Sequence, residues 1–519
     1  MVIKLILVLY ILMMLGIGVS TYKNGSSVDG FVLGGRNVGS WLTAFAFGTS
    51  YFSAVVFVGY AGQFGWNYGF SATWIGIGNA VLGSALAWMV LGKRTRTMTT
   101  HLNASTMPEF FEKRYNSKKL KTISAVIIFI FLIPYTASVY NGLSRLFAMA
   151  FDIDYAVCII AMAVLTAVYV IIGGYAATAI NDFVQGIIML GGIAAVVIFA
   201  LNEKGGFSSA LKQLGEIEAT GVPANSLNSI FGPDPINLAG VVILTSLGTW
   251  GLPQMVHKFY AIKSEDAIKK GTIISTLFAV VVAGGSYFLG GLGRIYCTAD
   301  SSDGSGRVFI EKLANGKLDF DAIIPNLLDT CLPDIMIGLV VVLVLSASMS
   351  TLSSLVLTSS STVTIDIVRP LTKGKMSEKK EVLVMRIFIA VFLIISVVLA
   401  LNKNAYISTL MSISWGALAG SFLAPFMYGL FSKKVTKQAV MASFISGVGI
   451  TVVHMIIFSL GFFPEATKAA ASLKLNMASP INAGAITMLF DLIIVPVVSA
   501  VTKNKDQAEL EKAFDCYKK

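Results

Sequence analysis

Residues 346–362 read Ser346-Ala347-Ser348-Met349-Ser350-Thr351-Leu352-Ser353-Ser354-Leu355-Val356-Leu357-Thr358-Ser359-Ser360-Ser361-Thr362. This hydroxyl-rich run lies inside an apolar stretch, 334–366, that is long enough to cross about 30 Å of hydrocarbon as a helix. A second unusual segment, Phe47-Gly48-Thr49-Ser50-Tyr51-Phe52-Ser53, lies within the apolar run 41–64. Neither has the composition of a helix that faces lipid. Together they predict polar chemistry in the middle of a membrane.

The surrounding chain supports that setting. Of its 519 residues 55% are hydrophobic and 13% charged, with a mean hydropathy of +0.77, more apolar surface than one water-soluble core can enclose. Spans are predicted at 2–21, 41–64, 69–92, 120–149, 155–173, 177–202, 237–259, 271–295, 334–366, 380–401, 405–431, 436–460 and 480–502. The fold class is therefore all-α and polytopic, with about thirteen transmembrane helices whose backbones satisfy themselves within the bilayer. Only Lys4 precedes the first apolar core and no small-residue cleavage site follows it, so it reads as a membrane helix and not a cleaved signal. No low-complexity linker divides the chain, which predicts one transporter domain over 1–502 and a short tail over 503–519.

Basic residues set the orientation. The loops 22–40, 92–121, 258–270, 367–380 and 432–438 with the tail carry about 27 Lys and Arg, against about 10 on the opposite side, which places the first set in the cytoplasm. A multi-pass protein of the plasma (inner) membrane is predicted, N-terminus outside and C-terminus cytoplasmic. The net charge of +11 resides in such loops, as at Lys93, Arg94 and Arg96, where topology and contact with the lipid bilayer account for it without nucleic acid. Cys297 and Cys331 share one predicted external loop, where a disulfide and two free thiols are both open. His101, His257 and His454 are scattered, no catalytic triad can be built, and no Gly-x-x-x-x-Gly-Lys phosphate loop is present. An enzyme and direct ATP hydrolysis are unsupported, and no obligatory protein partner is evident.

Sodium is a hard cation that needs roughly five or six oxygens, which a membrane interior can supply from hydroxyls, carboxylates or carbonyls freed where a helix unwinds. Ser350, Ser353 and Ser354 fall at i, i+3 and i+4 on one helix face, with Thr351 beside them, and an unwound stretch at 48–52 would add carbonyls. Small hydroxyl residues also serve close helix packing, so spacing alone leaves the two roles about even. Asp182, in Asn181-Asp182-Phe183-Val184-Gln185, is the main intramembrane carboxylate, read either as functional or as the N-terminal cap of the sixth span. Arg145 reads as a snorkelling side chain with no role. Thr106-Met107-Pro108-Glu109 has capping-box spacing at the start of a cytoplasmic surface helix.

With these residues in view, the chain resembles the sodium/solute symporters, which include proline, pantothenate and sialic acid carriers and the sodium/glucose cotransporters. The resemblance covers nearly the whole chain. It rests on Gly34-Gly35-Arg36, Thr106-Met107-Pro108-Glu109-Phe110-Phe111 with Arg114-Tyr115, Gly173-Gly174 leading to Asp182 and Gln185, Gly251-Leu252-Pro253-Gln254, and Met349-Ser350-Thr351-Leu352-Ser353. It implies a leucine-transporter-type inverted repeat of five helices plus five, spanning about 41–431. It implies a sodium ion held by carbonyls of Thr49, Phe52 and Ala347 and hydroxyls of Ser350 and Thr351. In the sialic acid branch a second sodium site would match Asp182, Ser350, Ser353 and Ser354. The solute wall would draw on Ser50, Tyr51, Ser53, Tyr135, Thr245, Thr249, Trp250, Gln254, Ser414 and Trp415.

Tyr51 stands where the proline carriers have an aspartate, and Thr245 where they have a tryptophan. The Gly251-Leu252-Pro253 stretch is closer to the pantothenate branch. The implied function is uptake of a small organic solute (pantothenate, an amino acid, a monocarboxylate or a sugar-like molecule) driven by inward sodium movement. The alternative is a proton-coupled or exchange carrier of the same fold, in which Asp182 titrates.

Overall fold

Two glycines govern how the longest apolar helices are folded. The computed structural model describes residues 2–21, 27–151, 154–218, 222–313, 316–401, 407–503 and 507–518. Within them Val55–His101 runs for 47 helical residues and Tyr155–Glu203 for 49. At about 1.5 Å per residue each would be roughly 70 Å long if straight, more than twice the hydrocarbon thickness. Gly69 (φ 59°, ψ −138°) and Gly174 (φ 55°, ψ −152°) interrupt them in backbone conformations essentially reserved for glycine.

The packing shows that the chain turns back at both. Gly48 and Gly65 lie against Phe278 and Gly290, whereas Gly76 and Gly92 lie against Gly284 and Ile268, so the two limbs run in opposite directions along Glu265–Gly291. Leu343 meets Gly192 while Met349 meets Thr166 and Tyr169. A straight helix would hold Thr166 and Gly192 about 39 Å apart, while Leu343 and Met349 are separated by only about 9 Å of helix rise.

Among the described residues nine helices are long and apolar enough to cross a membrane, or ten if one bent pair counts as a single span. That pair is Pro235–Gly251 and Pro253–Ala261, bent by 44°, where the sequence predicts an unbroken span over 237–259. Pro253 is the cause: it disfavours helical dihedrals at the residue before it, and Leu252 sits at φ −74°, ψ 122°. The predicted start of span eleven, 405–406, lies outside the described residues, and its helix is described from Ile407.

Burial sorts the helices into centre and rim. Over an apolar stretch of 18 residues in each, Ile407–Phe431 is 89% buried and Ile335–Leu371 78%, against 33% for Glu378–Ala400, so the first two form the core. Rim helices instead expose aliphatic side chains at helical spacing, as with Ile273 and Leu277 or Ile394 and Val398. Their outer faces belong in lipid. The protein is a multi-pass membrane protein.

Connecting segments carry small elements. Cys297–Thr298 pairs in parallel with Val308–Phe309, and Ile323–Cys331 forms a helix beneath them. Cys297 and Cys331 are buried free thiols, which resolves the open choice against a disulfide. Thr106 caps Met107–Tyr115 by accepting from the Glu109 amide at 3.1 Å, while the Glu109 carboxylate accepts from the Ser105 amide at 2.8 Å. Arg114, on that helix, donates to the Gly429 and Ser432 carbonyls and ties it to the end of Ile407–Phe431. Arg145 does not snorkel freely: it pairs with Asp319 at 2.7 Å.

Candidate ion and solute site

The sequence predicts an unwound stretch at 48–52; the structure corrects this, keeping helix through Tyr51 with the Gly48 carbonyl still accepting from the Phe52 amide at 3.1 Å, and breaking the limb only at Phe52 and Ser53. Ser40–Tyr51 ends with Phe52 in an extended conformation (φ −102°, ψ 102°), and helix resumes at Val55. Ser53 restarts it, its hydroxyl accepting from the Val55 amide at 3.2 Å as an N-cap does. The Val56 amide donates to the Ser53 carbonyl at 3.0 Å, so the Phe52 carbonyl, four residues back, loses its regular helical donor.

The hydroxyl-rich helix lies directly across this break. Thr351 Oγ1 is 3.2 Å from the Thr49 carbonyl, 3.2 Å from the Ala347 carbonyl and 3.4 Å from the Ser50 carbonyl. Ser350 Oγ donates to Thr49 Oγ1 at 2.6 Å. All these residues are buried. Neutral oxygens from two helices therefore converge, the donor set that suits a small hard monovalent cation.

One turn further along, a charged cluster begins. Ser354 Oγ is 2.7 Å from Ser50 Oγ and accepts from Lys258 Nζ at 2.9 Å. Lys258 Nζ is also 3.7 Å from Asp182 Oδ2 and 5.3 Å from the centre of the Tyr175 ring. Asp182 is fully enclosed within Tyr155–Glu203, beyond the Gly174 break, so the N-terminal-cap reading is corrected: its carboxylate faces the bundle interior. Neither of its oxygens accepts a hydrogen bond among the described residues. Ser353 Oγ turns back to the Ser350 carbonyl at 2.8 Å.

Lys258 was missed in the sequence, where it counts among the cytoplasmic loop charges. It is in fact 2% exposed, on the short helix after the Pro253 break. The available signal was its flanks, Met255-Val256-His257 and Phe259-Tyr260-Ala261, which are core-type residues and not loop residues.

The proposed solute residues divide into groups. Tyr51 stacks on Trp415 with ring centres 5.7 Å apart, and Tyr135 meets the same indole edge-on at 5.9 Å. The Tyr51 hydroxyl donates to the Thr245 carbonyl, and Thr245 Oγ1 bonds Asn79 Oδ1 at 2.9 Å. Gly248 brings the broken seventh span against Trp415, where a Cβ would stand 2.5 Å from the ring. The Tyr135 hydroxyl, the Trp415 indole N–H and the Gln254 amide have no hydrogen-bond partner among the described residues. Thr249 and Trp250 turn elsewhere, donating to the Gly83 and Leu82 carbonyls, and Ser414 donates to the Phe131 carbonyl. Ser50 joins the Ser354 cluster and Ser53 serves the helix restart.

A family model described as the sodium:solute symporter family matches residues 31–447. The chain belongs to the sodium:solute symporter family. This symporter is 29% identical over 442 residues to the osmoregulated proline transporter OpuE of Bacillus subtilis, covering 85% of this chain and 86% of that one. It is also 29% identical over 458 residues to the sodium/proline symporter of Staphylococcus aureus, covering 86% and 85%. Among solved structures it is similar to a Na+-coupled sialic acid symporter in a substrate-bound outward-open state, with a TM-score of 0.72 at 18% identity over 97% and 98% of the chains. A nucleobase-cation-symport-1 family transporter in a closed conformation follows at TM-score 0.51 and 14% identity, covering 93% of this chain and 97% of that one.

The fold is thus the leucine-transporter type of these sodium symporters. The symporter is a secondary transporter and not an enzyme, its coupling ion is sodium, and its cargo is a small organic solute.

Proposed function

We propose that this symporter drives solute uptake with sodium held by the carbonyls of Thr49, Phe52 and Ala347 and the hydroxyls of Ser350 and Thr351. The observation that carries the reading is the position of Thr351 Oγ1, 3.2 Å from carbonyls on both the broken limb and its own helix, with Ser350 bonded to Thr49 beside it. Sodium there ties the two elements together, which favours the solute-competent state. Solute binds against Tyr51, Trp415 and Tyr135, within reach of Thr245 and Gln254, and the remaining predicted wall residues, Ser50, Ser53, Thr249, Trp250 and Ser414, position that wall. Sodium leaves past Asp182, Ser353 and Ser354.

One transporter domain over 1–502 crosses the plasma membrane thirteen times, N-terminus outside and tail cytoplasmic, following the basic loops. Relatives named for proline favour an amino acid as cargo, although Tyr51 and Thr245 set this wall apart from theirs. Moving one charge through 100 mV supplies about 2.3 kcal/mol and a tenfold sodium gradient about 1.4 more, enough for roughly 500-fold accumulation per coupled ion.

The test is uptake by proteoliposomes of labelled amino acids, pantothenate, short monocarboxylates, sialic acid and hexoses, with and without an inward sodium gradient. Sodium-dependent uptake of one solute, lost in S350A/T351A, is the expected result. Uptake indifferent to sodium but responsive to a proton gradient or counter-solute overturns the reading.

A further inference from the structure

The oxygens of Asp182 and Ser354, which the sequence reading offers to a second sodium ion, already face a cation. We propose that the Lys258 ammonium is a tethered counter-ion standing in the place of that second sodium, so that each cycle moves one sodium ion. The inference rests on the sodium site proposed above and adds its stoichiometry.

The geometry is specific. Lys258 Nζ lies 2.9 Å from Ser354 Oγ and 3.7 Å from Asp182 Oδ2, with the Tyr175 ring 5.3 Å away as a cation-accepting face. Ser354 Oγ continues the chain to Ser50 Oγ at 2.7 Å, so the ammonium stands at a junction of four elements: the first limb, the hydroxyl helix, the Asp182 helix and the broken seventh span. A sodium ion bound to both Asp182 and Ser354 would stand within about 4 Å of Nζ. Repulsion between unit charges at that distance, at an effective dielectric constant near 20, lowers occupancy roughly a thousandfold. One carboxylate facing one ammonium has no net negative charge left to offset this. Potassium or another monovalent cation meets the same barrier.

A tethered cation differs from a bound one in its thermodynamics. Lys258 supplies positive charge beside Asp182 but never leaves the protein, so it takes no energy from the sodium gradient. Its anchor is the short helix beyond the Pro253 break, every residue of which is buried and whose end is held by the Val38 amide on the Ala261 carbonyl at 3.1 Å. Being covalently attached, the ammonium exchanges with neither solution.

The experiment uses the purified full chain and radioactive sodium alone, without solute. Equilibrium binding should give one sodium per protein with a Hill coefficient near 1, abolished by S350A/T351A. K258Q should bind two ions with a Hill coefficient approaching 2, and K258Q/D182N should return to one. K258R, which keeps the charge, should remain at one and controls for a general loss of fold. Two ions bound by the native chain, or one bound by a monodisperse K258Q, overturns the inference while leaving the first site standing. Sodium binding by the native chain that S350A/T351A leaves intact overturns the first site instead. If K258Q fails to fold, the native stoichiometry still decides.

Discussion

Thr351→Val isolates a single oxygen of the proposed sodium site. Valine keeps the β-branched outline of threonine while Oγ1 is lost. That atom is one ligand of five, and it faces carbonyls of Thr49 and Ala347 at 3.2 Å and of Ser50 at 3.4 Å. Hydrogen-bond-like contacts to a charged group contribute about 1.5–3 kcal/mol, which corresponds to a rise of about 10- to 150-fold in the sodium concentration for half-maximal uptake. The assay is initial solute uptake against sodium concentration in proteoliposomes held at one membrane potential. Uptake at saturating sodium should stay within about twofold of native, since the solute wall is untouched. Ser359→Ala removes another buried hydroxyl of the same helix, one with no hydrogen-bond partner among the described residues, and should leave the sodium dependence unchanged. An unaltered half-saturation in Thr351→Val, or an equal shift in Ser359→Ala, would refute the assignment.

Gly65→Ala places a Cβ 1.9 Å from the Gly290 carbonyl carbon, and backbone cannot yield as a side-chain tip can, so a cost at or above about 3 kcal/mol and loss of the monodisperse peak in size-exclusion chromatography are expected. Gly174→Ala combines a φ of +55° at ψ −152°, a pairing essentially reserved for glycine, with contact at 2.8 Å to Phe31, and a native-like melting temperature would show that the reversal there does not need glycine.

Asp321 lies outside the spans, buried beneath the start of Ile407–Phe431 and accepting from the Ile407 amide at 3.3 Å. Burial pushes its carboxyl up to about 7, opposed by Arg145 and by the Ile407 amide. The folded chain therefore holds a proton that the unfolded chain releases near 3.8, so this group's contribution to stability falls as pH rises through that window and levels off above about 7. Asp321→Asn should flatten the pH dependence of the melting temperature between pH 5 and 8; an unchanged slope would assign it to other groups.

Several features were legible locally. The hydroxyls of Ser350, Thr351, Ser353 and Ser354 stand out as a run too polar for lipid, but the choice of Ser350 and Thr351 as sodium ligands comes from the family resemblance, and the break expected at 48–52 falls at Phe52 and Ser53. Asp182 was found as a rare intramembrane carboxylate, but its neighbours in sequence also fit a helix cap, and only the turn at Gly174 carried it inside. The family resemblance places Trp250 and Thr249 in the solute wall; their side-chain bonds to Leu82 and Gly83 depend on which face the third span covers.

Hydropathy and length by themselves determined a helical membrane protein, because a bilayer admits few other ways to satisfy a backbone. The resemblance of its motifs to the sodium/solute symporters implied a sodium-coupled carrier. Lys258 is what only the tertiary structure decided. It bonds Ser354 across 96 residues of chain, and the bend of 44° after Leu252 turns an apparent loop lysine into the bundle. Local periodicity encodes which face a residue occupies, whereas the partner that neutralises a buried charge is set by how distant helices pack.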